Sequence, residues 1–279
     1  MNTFVAVYAL STITALLLLY ISIYKSKKIK LNFFTFFILH VSIYMLGVTI
    51  EISSETIRQA TIANTIEFLG TCFIPQYFLL TICEYTENEI KNKWLLASLF
   101  VIPVCTFLLV LTYPLNHLFY TEYTLVNIAG INFLGYTGSI YRTIFFIHFV
   151  FLILISFYLM LSTYLKSGSS TKKRMAFLLK GTIIPFIVAI AYLLGITPYG
   201  IDFTPLSLLL MCLYYMYHLL FKEVFITKRF ARSYILDNMK DGYFLVDEQN
   251  RFIDANKNAK IIFPSLLSCN IGESINPLP

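Results

Sequence analysis

The sequence predicts an all-α membrane fold. It is a bundle of seven transmembrane helices, N-terminus out and C-terminus in, with a small extracellular β-hairpin cap and a partial α/β tail. Three observations predict it. The 279 residues are 58% hydrophobic and only 13% charged, whereas soluble chains are nearer 45–50% apolar and about 25% charged. Seven apolar runs are each long enough to cross a bilayer as a helix, which takes about 20 residues. Basic residues gather in alternate connections between those runs.

The runs fall at about 3–24, 31–51, 61–83, 94–114, 142–165, 175–197 and 203–221. They are continuously apolar and do not alternate, so they read as helices, which satisfy their own backbone polar groups in lipid, and not as barrel strands. The first run is too long for a signal-peptide core and is followed by "KSKKIK" in place of a small-residue cleavage site.

The first connection carries Lys25, Lys27, Lys28 and Lys30, the third Lys91 and Lys93, and the fifth Lys166, Lys172, Lys173 and Arg174. Lys222, Lys228, Arg229 and Arg232 follow the seventh run. Even-numbered connections hold little beyond Arg58 and Arg142, and the positive-inside rule then sets the orientation. The net charge of +6 belongs to these short loops, so a nucleic-acid partner is not expected.

The long fourth connection, residues 115–141, contains "EYTLVNIAGINFLGY", which partly alternates around Gly130 and reads as a β-hairpin cap. Past residue 230 the pattern becomes that of a soluble α/β segment. It has a short amphipathic helix, the strands "GYFLVD" and "RFIDAN" about a turn at "EQN", and a second helix. Fewer than 50 residues bury little core by themselves.

The third run, "ANTIEFLGTCFIPQYFLLTI" (63–82), contains one carboxylate. An acidic residue at a membrane helix centre costs about 2.5–3.5 kcal/mol, so Glu67 requires a reason. Asn64, Glu67 and Thr71 lie at i, i+3 and i+7 and share one helical face. Glu51, Glu55 and Arg58 form a similar set at the outer end of the second run. The competing interpretation is structural: an interhelical hydrogen bond, or an ion pair with Arg58 or Arg142. Gly70 and Pro75 flank Thr71, and a proline there frees a backbone carbonyl.

Other chemistry is poorly represented. The cysteines show no metal-ligand spacing, and the four histidines are scattered over three helices and a loop. Lys180 lies about one turn into the sixth run and is expected to snorkel towards headgroups. There is no HExxH, GxSxG or phosphate-cradling glycine loop. His218 lacks the acidic neighbour of a phosphoacceptor box. No catalysis, cofactor or metal is expected.

The segments "VTIEISSETI", "TIEFLGTCFIPQYFLLTICEYT", "VIPVCTFLLVLTYPLNHLFY" and "KGTIIPFIVAIAYLLGITPYGIDFTPLSLLL", with the tail, resemble the bacterial seven-transmembrane N-terminal sensor region of histidine kinases, followed by the start of a PAS domain. The matching positions are Glu51, Glu67, Gly70, Pro75, Tyr85, Pro103, Thr112, Asn116, His117, Pro185, Gly200, Asp202 and Pro205. Tyr85-Thr86-Glu87 departs from the family's Tyr-Thr-Gly, and the sequence stops at Pro279 within what looks like the first half of the PAS fold.

The resemblance implies a sensor domain at 1–221, a juxtamembrane signalling linker at 222–232 and an incomplete PAS-like domain at 233–279. It further implies a membrane receptor of a two-component system, with a histidine kinase, or less often a diguanylate cyclase, as the parent output. The candidate ligand-binding residues are Glu51, Asn64, Glu67, Thr71, His117, Arg142 and Asp202. Expected partners are a small-molecule or lipid-like ligand, the bilayer of a bacterial plasma membrane, a cytoplasmic output domain or kinase, and a second copy in a homodimer. The runner-up is a seven-helix transporter or channel, which would be expected to show internal repeats and broken helices.

Overall fold

The computed structural model describes residues 3–29, 32–113, 115–128, 130–197, 201–221, 236, 239–267 and 272–273. The expected linker at 222–232, the start of the tail at 233–235, Lys30 and Gly200 lie outside the described residues. Two compact units divide the chain, Met1–Phe225 and Ile226–Pro279.

In the first unit, α1 (Thr3–Ile29) and α2 (Asn32–Glu51) precede the pair α3 (Ile57–Thr71) and α4 (Ile74–Tyr85). Then come α5 (Lys93–Leu111), β1 (Tyr120–Ile128), β2 (Ile131–Gly138), α6 (Ile140–Lys166), α7 (Ser169–Leu193) and α8 (Thr204–Phe221). Among the described residues, six helical spans are long and apolar enough to cross a membrane, with α3 and α4 together forming one of them. A shorter apolar helix, Thr204–Tyr217, accompanies them. Large apolar side chains such as Leu10, Leu17, Ile147 and Ile187 face outward from α1, α6 and α7, as lipid-facing helices require. This is a multi-pass membrane protein.

Two sequence expectations are corrected. The third run is not one continuous helix, because it breaks at Cys72–Phe73, just before Pro75 in the first turn of α4. A proline cannot donate to the carbonyl four residues back, here Thr71. Buried Gln76 repairs the break. With its amide oriented to satisfy both ends, its nitrogen donates to the carbonyls of Cys72 (2.8 Å) and Phe73 (3.3 Å), and its oxygen accepts from His148 Nε2 (3.2 Å). Backbone polar groups freed within a membrane need such partners.

Glu51, Glu55 and Arg58 do not share a helical face. α2 ends at Glu51, and α3 starts afresh at Thr56, which forms a capping box with Gln59. Thr56 and Gln59 satisfy each other's backbone donors, so a new helix axis begins there. Glu55 and Arg58 are exposed.

β1 and β2 form an antiparallel hairpin closed between Ile128 and Ile131, with Gly130 at φ +81°. A two-residue connection needs positive φ, which glycine adopts without a Cβ penalty. Tyr120, Tyr123, Ile131 and Leu134 are the buried residues of the hairpin. Tyr120, Tyr123 and Leu134 pack on Phe68, Cys72, Val110 and Phe145. A larger core, including Tyr8, Phe37, Tyr44, Met45, Ile82, Leu178 and Tyr215, joins α1, α2, α4, α7 and α8.

The second unit holds a short hairpin, β3 (Phe244–Val246) against β4 (Phe252–Ala255), then α9 (Lys257–Ile262) and a 3-10 turn at Pro264–Leu267. Asn256 caps α9 by accepting from Ala259 N. Hydrogen bonds from the Arg251 backbone, and then from its side chain, hold the half-buried Asp247 carboxyl below the usual range.

Candidate functional site: an acidic, aromatic cavity beneath the hairpin

Two glycines set how closely α2 and α3 approach. A Cβ on Gly47 would stand 2.5 Å from the backbone nitrogen of Glu67. A Cβ on Gly70 would stand 2.5 Å from both the His40 carbonyl oxygen and the Tyr44 nitrogen. Small residues let membrane helices meet backbone to backbone. Glu51 lies one turn beyond Gly47, so the same contact brings Glu51 and Glu67 together, and their side chains are hydrogen-bonded to each other.

The hairpin is anchored to that end of the helix pair. Leu134 N donates to Glu51 Oε1 (2.8 Å), Asn132 Nδ2 donates to the Ser54 carbonyl (2.9 Å), and Tyr123 OH donates to Asn64 Oδ1 (2.9 Å). Burial raises the Tyr123 hydroxyl far above its ordinary range, so it stays a donor at any ordinary pH.

Asp202 enters from the segment before α8. Its Oδ1 accepts from Thr204 N at 2.8 Å, an Asx-type turn that starts the helix, and its Oδ2 accepts from Tyr44 OH. Tyr8 OH donates to the Asp202 carbonyl at 2.9 Å.

These groups surround a cavity of about 110 Å³. All helices of the first unit except α5 contribute to its wall, as do both strands of the hairpin. Glu51, Asn64, Glu67, Thr71 and Asp202 all line it. Asn64 is buried, while the three acids keep intermediate accessibility inside the bundle. Aromatic side chains form much of the rest, among them Phe4, Tyr8, Tyr44, Tyr120, Phe133 and Tyr192. A second cavity of about 40 Å³ shares Ile74, Phe149, Ala189, Thr204 and Leu208 with the first, and its other walls include Phe37, Phe78 and Met211.

Two predicted site residues lie elsewhere. Arg142 is one shell out: it donates to Tyr136 OH (3.1 Å), and its guanidinium lies 4.7 Å from the ring centroids of Tyr136 and Phe146, both of which line the cavity. Tyr136 in turn pairs with Tyr192 at 2.9 Å. His117 is exposed, packs edge-on against Tyr113 and does not line the cavity. Among the described residues neither Glu51 nor Glu67 forms an ion pair with Arg58 or Arg142, and no cluster of three metal-ligating side chains occurs. Lys180 is exposed on α7.

Sequence reasoning missed the tyrosines. Tyr8, Tyr44, Tyr136 and Tyr192 come from four separate elements, so no spacing marks them as one site.

No curated protein and no solved structure matches the chain at a significant level. Residues 7–226 match the family model described as the N-terminal 7TM region of histidine kinase. That match takes in the bundle, the hairpin and all the acidic residues of the cavity, and the chain belongs to this family.

Proposed function

We propose that the chain is the ligand-sensing membrane region of a bacterial two-component receptor. The observation that carries this reading is the cavity itself, in which Glu51, Glu67 and Asp202 meet beneath the hairpin within a chain of the histidine-kinase 7TM family. Acidic groups inside a membrane bundle ordinarily mark function.

In this reading the bundle spans the plasma membrane seven times with the hairpin outside. A small or lipid-like ligand enters under the hairpin, and α8 passes the change to a cytoplasmic output domain or kinase. α8 suits that role because Asp202 at its start touches α1 and α2 through Tyr8 and Tyr44. The segment from residue 233 is read as the beginning of a PAS domain, and the working unit as a homodimer. No catalysis is assigned to the chain.

Filling the cavity tests this reading. Thr71→Trp, in a chain joined to a histidine-kinase catalytic core, should change autophosphorylation at least fivefold without loss of folded protein. Unchanged phosphorylation would count against the cavity as the sensory site.

The transporter reading draws on one observation, the α3–α4 break beside the cavity, since transporters bind substrate at broken helices. Ligand-dependent flux into liposomes holding the purified chain would favour it over the sensor reading.

A further inference from the structure

The cavity's charge and shape narrow the class of ligand. Two carboxyl groups hydrogen-bond to each other only when at least one of them is protonated, so the Glu51–Glu67 pair carries at most one negative charge. Asp202 brings a third carboxyl group to the same cavity, held by two donors. Arg142 lies behind the cavity wall, turned onto the Tyr136 and Phe146 rings, and among the described residues it forms no ion pair with these acids. These acids lie in a space walled largely by aromatic side chains.

Glu67 is the acid left most open. Glu51 accepts from Leu134 and Asp202 from Tyr44 and Thr204, whereas Glu67's partner is another acid, and its accessible surface faces the cavity. A buried charge needs a counter-charge or solvent, and aromatic faces attract cations, most strongly when these are desolvated. A bare metal ion is poorly served, since no three metal-ligating side chains converge among the described residues. An organic cation suits both features.

The second cavity supplies the rest of the ligand. It adjoins the first through shared residues and its other walls, such as Phe37, Phe78 and Met211, are apolar. A dry cavity of about 150 Å³ accommodates benzene, so the main cavity of about 110 Å³ holds only a few heavy atoms. A short hydrocarbon tail would continue into the smaller space.

We propose that this chain binds a small alkylammonium ligand, its ammonium group at Glu67 among the aromatic rings and its alkyl tail in the adjoining apolar cavity. This rests on the reading of the cavity as the sensory site.

The test uses the full chain in phosphatidylcholine nanodiscs, with calorimetric titration of n-hexylammonium, n-hexanol and hexanoate. Thr71→Trp nanodiscs correct for partition into lipid. Hexylammonium should bind saturably, hexanol and hexanoate at least tenfold more weakly, and methylammonium more weakly than hexylammonium. Glu67→Gln should weaken hexylammonium at least tenfold. Asp202→Asn, a second and independent variant, should also weaken it. Equal affinity for hexanol and hexylammonium, or unchanged binding in both variants, overturns the assignment. If the uncharged or anionic probe binds best and Thr71→Trp blocks it, the ammonium assignment falls while the sensory cavity stands. If no probe binds and Thr71→Trp also leaves output unchanged, both fall.

Discussion

Gly47 and Glu67 meet backbone to backbone, so close that a methyl group on Gly47 would stand 2.5 Å from the Glu67 nitrogen. That contact seats a carboxylate from α3 beside Glu51 of α2. Gly47→Ala is therefore expected to push α2 and α3 apart, at a cost of about 1–3 kcal/mol. Thermal unfolding in detergent should show the loss. Gly130→Ala meets no neighbouring atom and is strained only by its positive φ, so it should cost less, about 1 kcal/mol.

Tyr44 provides a donor that Asp202 would otherwise lack. Tyr44→Phe keeps the ring and removes the hydroxyl, and should destabilise the fold by about 1–3 kcal/mol by leaving Asp202 Oδ2, inside the bundle, without its donor. Asp202→Asn made in addition should change stability by less than the sum of the two single variants, because both remove one interaction. Additive losses in denaturation curves would show the contact to be energetically idle.

The hairpin is held by Tyr123 on Asn64, Asn132 on the Ser54 carbonyl and Leu134 on Glu51. Tyr123→Phe should loosen it locally. Amide hydrogen exchange in 131–138 should accelerate severalfold while exchange in α2 changes little.

Orientation rests on four basic clusters in odd-numbered connections. Reporters that work only outside the cytoplasm should be active when fused near Val126 and silent near Ser169. The reverse pattern would turn the cavity towards the cytoplasm.

How much of this was legible in the sequence differs from element to element. The apolar runs gave the helices because lipid demands continuous hydrophobicity, and "NIAGIN" gave the hairpin because Gly130 supplies the turn. Glu67, Asn64 and Thr71 are readable as one face, and a lone carboxylate stands out in an apolar run. The break at Cys72–Phe73 was half visible through Pro75, but its repair by Gln76 and His148, 72 residues apart, was not. The i, i+4, i+7 pattern from Glu51 to Arg58 misled, since Thr56 starts a new helix within it. The tyrosines around Asp202 were invisible because tertiary contact alone assembles them. His117, named through family resemblance, lies outside the cavity wall.

The measurement closest to the central claim compares two replacements of Glu67. Glu67→Gln keeps size and hydrogen bonding but removes the charge, so folded yield and thermal stability should stay near wild type. Kinase output in the joined chain should nevertheless fall at least tenfold in sensitivity to ligand, about 1.4 kcal/mol. If Glu67→Gln instead signals normally while Glu67→Ala unfolds the bundle, the carboxylate serves only to pack α3 against α2, and the cavity is not the sensory site.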